Sequence, residues 1–157
     1  MSRSKIIAVA STTNRPPAPI SPDWVLEGAP ETRSEELARS RDLTSFAMVW
    51  DCTAGRFNWH YNKDETLVVL EGEAFITIDD KERRIGPGDV VFFPSGCSAR
   101  WRVPKYIKKV AFLRHTMPRA FGFGVLAWNK FLRVVGLAGK SPAMTAAPIA
   151  AESARAS

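Results

Sequence analysis

A chain of 157 residues is long enough for one domain with a proper core and too short for two of usual size. Its formal net charge of +6 hides an asymmetry: residues 1–89 hold 11 Lys/Arg against 15 Asp/Glu, whereas residues 90–151 hold 10 Lys/Arg and no acid. An acid-free, basic half seeks anions, whether a small ligand, a lipid surface, nucleic acid or the acidic half of a second copy. Two cysteines, Cys52 and Cys97, without CxxC spacing exclude a disulfide-stapled scaffold. Free thiols in a reducing compartment are expected instead. The apolar run at residues 6–10 is shorter than a signal-peptide core, so a cytoplasmic protein is expected.

Residues 1–20 are rich in Ser, Thr, Pro and Ala and are predicted to form a mobile N-terminal arm. Residues 23–28 read as a first short strand. The polar stretch 34–38 supports one helical turn at most. From Phe46 the period becomes two: Phe46, Met48, Trp50 and Cys52 share one face, and Ala47, Val49 and Asp51 the other. Thr53-Ala-Gly55 predicts a turn. Residues 56–62 then alternate, with Phe57, Trp59 and Tyr61 opposite Arg56, Asn58, His60 and Asn62.

Residues 66–70 are apolar on both faces, as expected of a strand between two layers. A strand at 74–78, an Asp79-Asp80-Lys81 turn and a Gly86-Pro-Gly88-Asp89 corner lead into the apolar run 90–93. Ala99, Trp101 and Val103 alternate with Arg100 and Arg102, and 107–113 supplies a last strand. Seven or eight short strands without a long helix among them fit a jelly-roll barrel.

Residues 117–140 change texture. Phe121, Val125, Trp128, Leu132 and Val135 share one helical stripe, opposite Asn129, Lys130 and Arg133. Such an amphipathic helix either covers apolar protein surface or lies on an anionic membrane surface; it is too charged mid-segment to span one. Residues 141–157, rich in Ala, Ser and Pro, are expected to be disordered.

Glu65 and Gly72 are separated by six residues and Gly88 and Pro94 by five, and Pro94 is followed by Ser95 and Gly96. These spacings resemble the paired motifs of the cupin superfamily over about residues 20–115. The wording is closest to the branch with ureidoglycine-aminohydrolase-like and ethanolamine-utilisation-like cupins. The resemblance implies an all-β fold: a single cupin (jelly-roll) β-barrel over 21–116 with a C-terminal α-helix. It also implies one pocket fed by both motifs and, commonly, a dimer.

Metal-binding cupins usually offer His-x-His, then Glu after three or four residues, and a further His from the second motif. Here the Glu is Glu65. The two His positions become Trp59 and Tyr61, or Asn58 and His60, and the second-motif position is Ala99. At best His60 and Glu65 remain, and the aromatic alternation turns His60 away from the interior. A divalent metal is therefore not expected, although a metal-dependent enzyme resembling ureidoglycine aminohydrolase stays open as an alternative.

The positions instead describe an aromatic-walled cavity lined by Trp50, Trp59, Tyr61, Phe93, Cys97 and Trp101, with Glu65 at the start of its strand. Lys109 falls on the face of Ile107, Ala111 and Leu113, where the resemblance implies a Lys. A cation on an apolar face needs an anion, and Glu65 is the obvious candidate. The pair is either architectural or a contact for a ligand, with Glu65 and Lys109 the candidate catalytic groups if there is chemistry. Gly86-Pro-Gly88 sits in a β-turn rather than before a helix, and no Ser/His/acid order suggests a hydrolase. The basic residues around Trp101 read as a solvated face rather than a nucleic-acid site.

The leading expectation is thus a small-molecule-binding cupin without a cofactor, a divalent metal being the alternative, whose ligand is a small polar or anionic metabolite. A structural or membrane-peripheral role through the basic helix is a third reading. A homodimer is expected, held by the complementary charge of the two halves and so weakening as salt rises.

Overall fold

A computed structural model describes residues 15–137. They divide after Thr116 into a β-unit and a helical unit. The β-unit opens with a 3-10 turn, Pro22–Trp24, followed by β1 (Val25–Gly28), β2 (Thr32–Arg39), β3 (Ser45–His60) and β4 (Asp64–Gly72). Then come β5 (Ala74–Ile78), β6 (Lys81–Ile85), β7 (Val90–Phe93) and β8 (Ser98–Arg114). All pairings are antiparallel. The backbone order is β1–β3–β8–β4–β7, with β2 also on β3 and β5–β6 also on β8.

Two long strands carry this architecture. β3 and β8 pair along their lengths, from Ser45 opposite Arg114 to His60 opposite Ser98. Each then shares its outer edge between two shorter strands, β2 and β1 on β3, β4 and β5 on β8. The predicted turn at Thr53-Ala-Gly55 is a correction: it is an irregularity inside β3, facing the Val103–Tyr106 step of β8. Such a bulge bends the strand and shifts its facing set. Trp50 and Cys52 point into the core before it, and Phe57 and Tyr61 after it. Pro104 lies in the same irregular step, where a missing N–H costs no ladder bond.

Three other expectations are revised. Residues 34–38 are strand, within β2, because the edge of β3 offers backbone partners that a polar sequence can use as well as an apolar one. Residues 15–20 are held along β2: Ala18 N–H donates to the Thr32 carbonyl at 2.9 Å, Ser34 N–H to the Pro16 carbonyl at 3.1 Å, and Ile20 is buried. The rest of the predicted arm, 1–14, lies outside the described residues. β4 is buried on one face only, through Glu65, Leu67 and Val69, while Thr66, Val68 and Leu70 are half-buried or exposed.

The helical unit contains α1, Arg119–Val134, shorter than the predicted 117–140. It closes with a bond from Leu137 N–H to the Leu132 carbonyl at 2.9 Å, the six-to-one pattern of a Schellman end. The predicted tail, 141–157, lies outside the described residues. No described helix is long and apolar enough to cross a membrane.

Gly72 ends β4 with φ +73°, and a Cβ there would lie 2.0 Å from the Tyr106 carbonyl oxygen. Gly88 has φ +90° but open space around its Cα. Gly72→Ala is therefore expected to cost about 2–4 kcal/mol and Gly88→Ala about 1 kcal/mol. Chemical denaturation of the two variants checks the ordering; equal losses would contradict the close approach at Gly72.

Candidate binding site in the barrel interior

The inward faces of β3, β4, β7 and β8 converge on one ion pair. Glu65, near the start of β4, accepts a 2.6 Å hydrogen bond from Lys109 Nζ on the neighbouring β8. Both side chains are about 6% exposed. The ammonium also lies 4.9 Å from the ring centre of Trp50 and 5.1 Å from that of Trp101. A desolvated cation gains from indole faces, and the carboxylate supplies the opposite charge that a low-dielectric interior demands.

The aromatic set around the pair is continuous. Trp101 stacks parallel to Phe57, and its Nε1–H donates to the Tyr61 hydroxyl at 3.1 Å. Tyr61 in turn stacks on Phe93, with centroids 4.2 Å apart. Burial, reinforced by the nearby Glu65 charge, pushes the Tyr61 phenol far above its usual range, so it is a neutral hydrogen-bonding group. Trp59 meets Trp50 edge-on at 5.9 Å and is only half-buried. Cys97 is also half-buried and packs against this core. Its carbonyl accepts from Tyr61 N–H at 3.0 Å, and desolvation, with a smaller push from Glu65, raises its thiol pKa.

All eight sequence-derived candidates thus belong to one cluster, with Trp59 and Cys97 at its rim. None of the eight lines any of the four described cavities, the largest of which, of 620 Å³, is bordered by Phe46, Ala47, Thr66, Phe92 and Phe112. Alternation identifies which residues face inward; it carries no information on whether their volumes leave a void.

The metal set of the resemblance does not fit this chain. His60 is exposed, its Nδ1 lies 2.7 Å from Ser98 Oγ, and it borders an outer cavity with Asn58 and Arg100. Glu65 is committed to Lys109, and Ala99 offers no donor. Among the described residues no three His, Cys, Asp or Glu side chains converge.

Sequence reasoning missed two contributors. Trp24 packs edge-on against both Trp59, at 5.6 Å, and His60, at 4.9 Å, flanking the rim. A tryptophan just ahead of a first strand was its only signal. On the other face of β3, fully buried Asp51 pairs with Arg15 and Arg33, and Lys108 on β8 pairs with Glu71 at 2.9 Å. A single acid inside the apolar run 46–52 marks that cluster in the sequence.

This eight-stranded antiparallel barrel, whose interior cluster draws on both motifs through Glu65 and Phe93, has the cupin fold. Residues 39–111 match the family described as the EutQ-like cupin domain, and over that stretch the chain resembles that branch. A DUF861-family protein of unknown function from Pseudomonas syringae pv. tomato is similar at 23% identity and TM-score 0.63, over 71% of this chain and 48% of that one. EutQ from Clostridium difficile is similar at 21% identity and TM-score 0.49, over 54% of this chain and 63% of its own length. A DUF861-family protein from Thermotoga maritima shares 36% identity at TM-score 0.38, over 40% of this chain and 73% of that one. The chain thus spans less than two thirds of the EutQ and Pseudomonas structures. No curated protein matches it.

Removing one member of a buried pair strands the other, at about 3–5 kcal/mol, whereas replacing both by neutral groups of similar volume is often neutral or stabilising. Glu65→Gln and Lys109→Met are each expected to destabilise by that order, and the double variant by much less than their sum. A double-mutant cycle by denaturation checks this; additive losses would mean the two groups do not interact. Burial also pushes the Cys52 thiol up to about 12, aided by Asp51. Iodoacetamide should therefore label Cys97 first, faster as pH rises above the usual thiol range, and Cys52 only on unfolding. Mass spectrometry of partly labelled protein reads the order.

Proposed function

We propose that this cupin binds a small polar or anionic metabolite at the Glu65–Lys109 pair, reached from the rim at Trp59 and Cys97. The observation that carries the reading is the pair itself. A buried ion pair is a poor source of stability compared with well-packed apolar residues. Its position between two tryptophan faces instead suits a ligand with a carboxylate or ureido group. Lys109 would hold the anionic or carbonyl end, Glu65 would accept an N–H, and Trp50, Trp59 and Trp101 would stack on the remainder. Entry would pass the half-buried rim side chains Trp59 and Cys97. Two unpaired cysteines suit the cytoplasm.

Thermal-shift screening with small carboxylates and ureido compounds tests the reading. Compounds that raise the melting temperature of the native protein, and not of the Glu65→Gln/Lys109→Met double variant, are the expected result. Equal shifts in both, or none in either, would make the pair architectural. The metal-dependent alternative makes the opposite demand: about one Mn, Fe, Ni or Zn per chain by elemental analysis, lost in His60→Ala. We expect no stoichiometric metal.

The assembly we propose is a homodimer, held differently from the expectation based on charge. Arg102, Lys108 and Lys109 of the acid-free half pair within the chain, with Glu82, Glu71 and Glu65. What stays exposed is an apolar face: Thr66 lies opposite both Phe92 and Phe112, two residues on from Val68, Val90 and Val110. Phe92 and Phe112 are more than half exposed. Asp64 and Arg114 at its edge let a twofold axis set each sign against the other. Light scattering should give a dimer mass little changed by salt and a monomer for Phe112→Glu. A native monomer at tens of micromolar would contradict it.

A further inference from the structure

We infer that α1 is a docking element for an anionic lipid surface, lying in its plane. Sixteen residues make a helix of about 24 Å, short of the roughly 30 Å hydrocarbon core, so it suits the interface rather than a crossing. At 100° per residue, Lys130 and Arg133 fall within about 60° of one another, beside Asn129. Most of the remaining circumference is apolar, and it is exposed: Phe121, Phe123, Val125, Trp128 and Phe131 are each more than half accessible. A soluble helix covered by its own domain usually shows an apolar stripe with a polar face of similar width. Here the apolar face is far wider, and the polar remainder is a narrow basic band.

Charge selects the occupant. No Asp or Glu occurs between residues 90 and 151. Neither Lys130 nor Arg133 forms an ion pair among the described residues, and the first turn of α1 holds no acid to complement its dipole. An apolar groove on another protein would bury the wide face but gain nothing from the band beside it. A lipid interface takes both: acyl chains receive the phenylalanines and Trp128, which is in ring contact with Phe131 at 5.8 Å and lies opposite the basic band, while anionic headgroups meet Lys130 and Arg133. This inference is independent of the interior site.

The test uses the full chain with vesicles of phosphatidylcholine alone or mixed with phosphatidylglycerol. Co-sedimentation with the anionic vesicles only, weakened as salt rises, is the expected result. Lys130→Gln and Arg133→Gln should each lower that binding about fivefold. Phe123→Glu/Phe131→Glu should abolish it while leaving the melting temperature of the β-unit unchanged. A blue shift of tryptophan emission on binding should disappear in Trp128→Phe. Absence of binding to anionic vesicles at low salt would overturn the inference. So would a Phe123→Glu/Phe131→Glu variant whose only change is a smaller assembly, which would assign the face to a second copy of the chain.

Discussion

β8 is hydrogen-bonded on both edges, to β3 along its length and to β4 and β5 in turn on its other side. That constraint carries most of the structure. It brings Ala99, Trp101, Val103, Ile107, Lys109 and Ala111 to one face of a strand that cannot slip, because a one-residue slip would expose the whole set. It also explains the charge asymmetry of the sequence. The acid-free half of the chain threads between strands of the acidic half, so that Arg102, Lys108 and Lys109 find Glu82, Glu71 and Glu65 within one molecule. Part of the complementary charge that suggests association between copies is thus used inside each copy.

Within that frame, the interior is governed by one conflict. Apolar burial favours filling the barrel with aromatic rings, at about 25 cal/mol per Å² removed from water, and Trp50, Phe57, Tyr61, Phe93 and Trp101 do so. A carboxylate and an ammonium among them oppose that trend, because each costs several kcal/mol to desolvate. The 2.6 Å contact and two indole faces offset the cost without turning the pair into a source of stability. An interior of the cupin fold without the usual imidazoles thus keeps a polar centre at Glu65 and Lys109.

Much of this was legible in the residues. The alternation Phe57, Trp59, Tyr61 named the inward face, and Lys109 on an apolar face required an acid, which the motif spacing supplied as Glu65. The outward turn of His60 followed from the same alternation. The failures have physical causes. β2 is polar because an edge strand needs only backbone partners, so its sequence carries no period. The bend at Thr53–Gly55 resembles a turn because small residues serve both, and only the unbroken run of β8 opposite decides for a bulge. Residues 66–70 are apolar on both faces yet covered on one, since an apolar outer face looks the same in sequence whether or not a layer of the same unit covers it. Whether the aromatic set encloses a void depends on volumes and rotamers, which spacing does not encode.

The central claim is that an ammonium and a carboxylate are held together in a buried aromatic interior. Nitrogen-detected NMR of the lysine side chains tests it most directly. The account predicts one Nζ resonance with slowly exchanging protons, shifted upfield by the Trp50 and Trp101 rings, absent in Lys109→Met and displaced in Glu65→Gln. Lysine signals that all exchange as rapidly as exposed ammonium groups would contradict it.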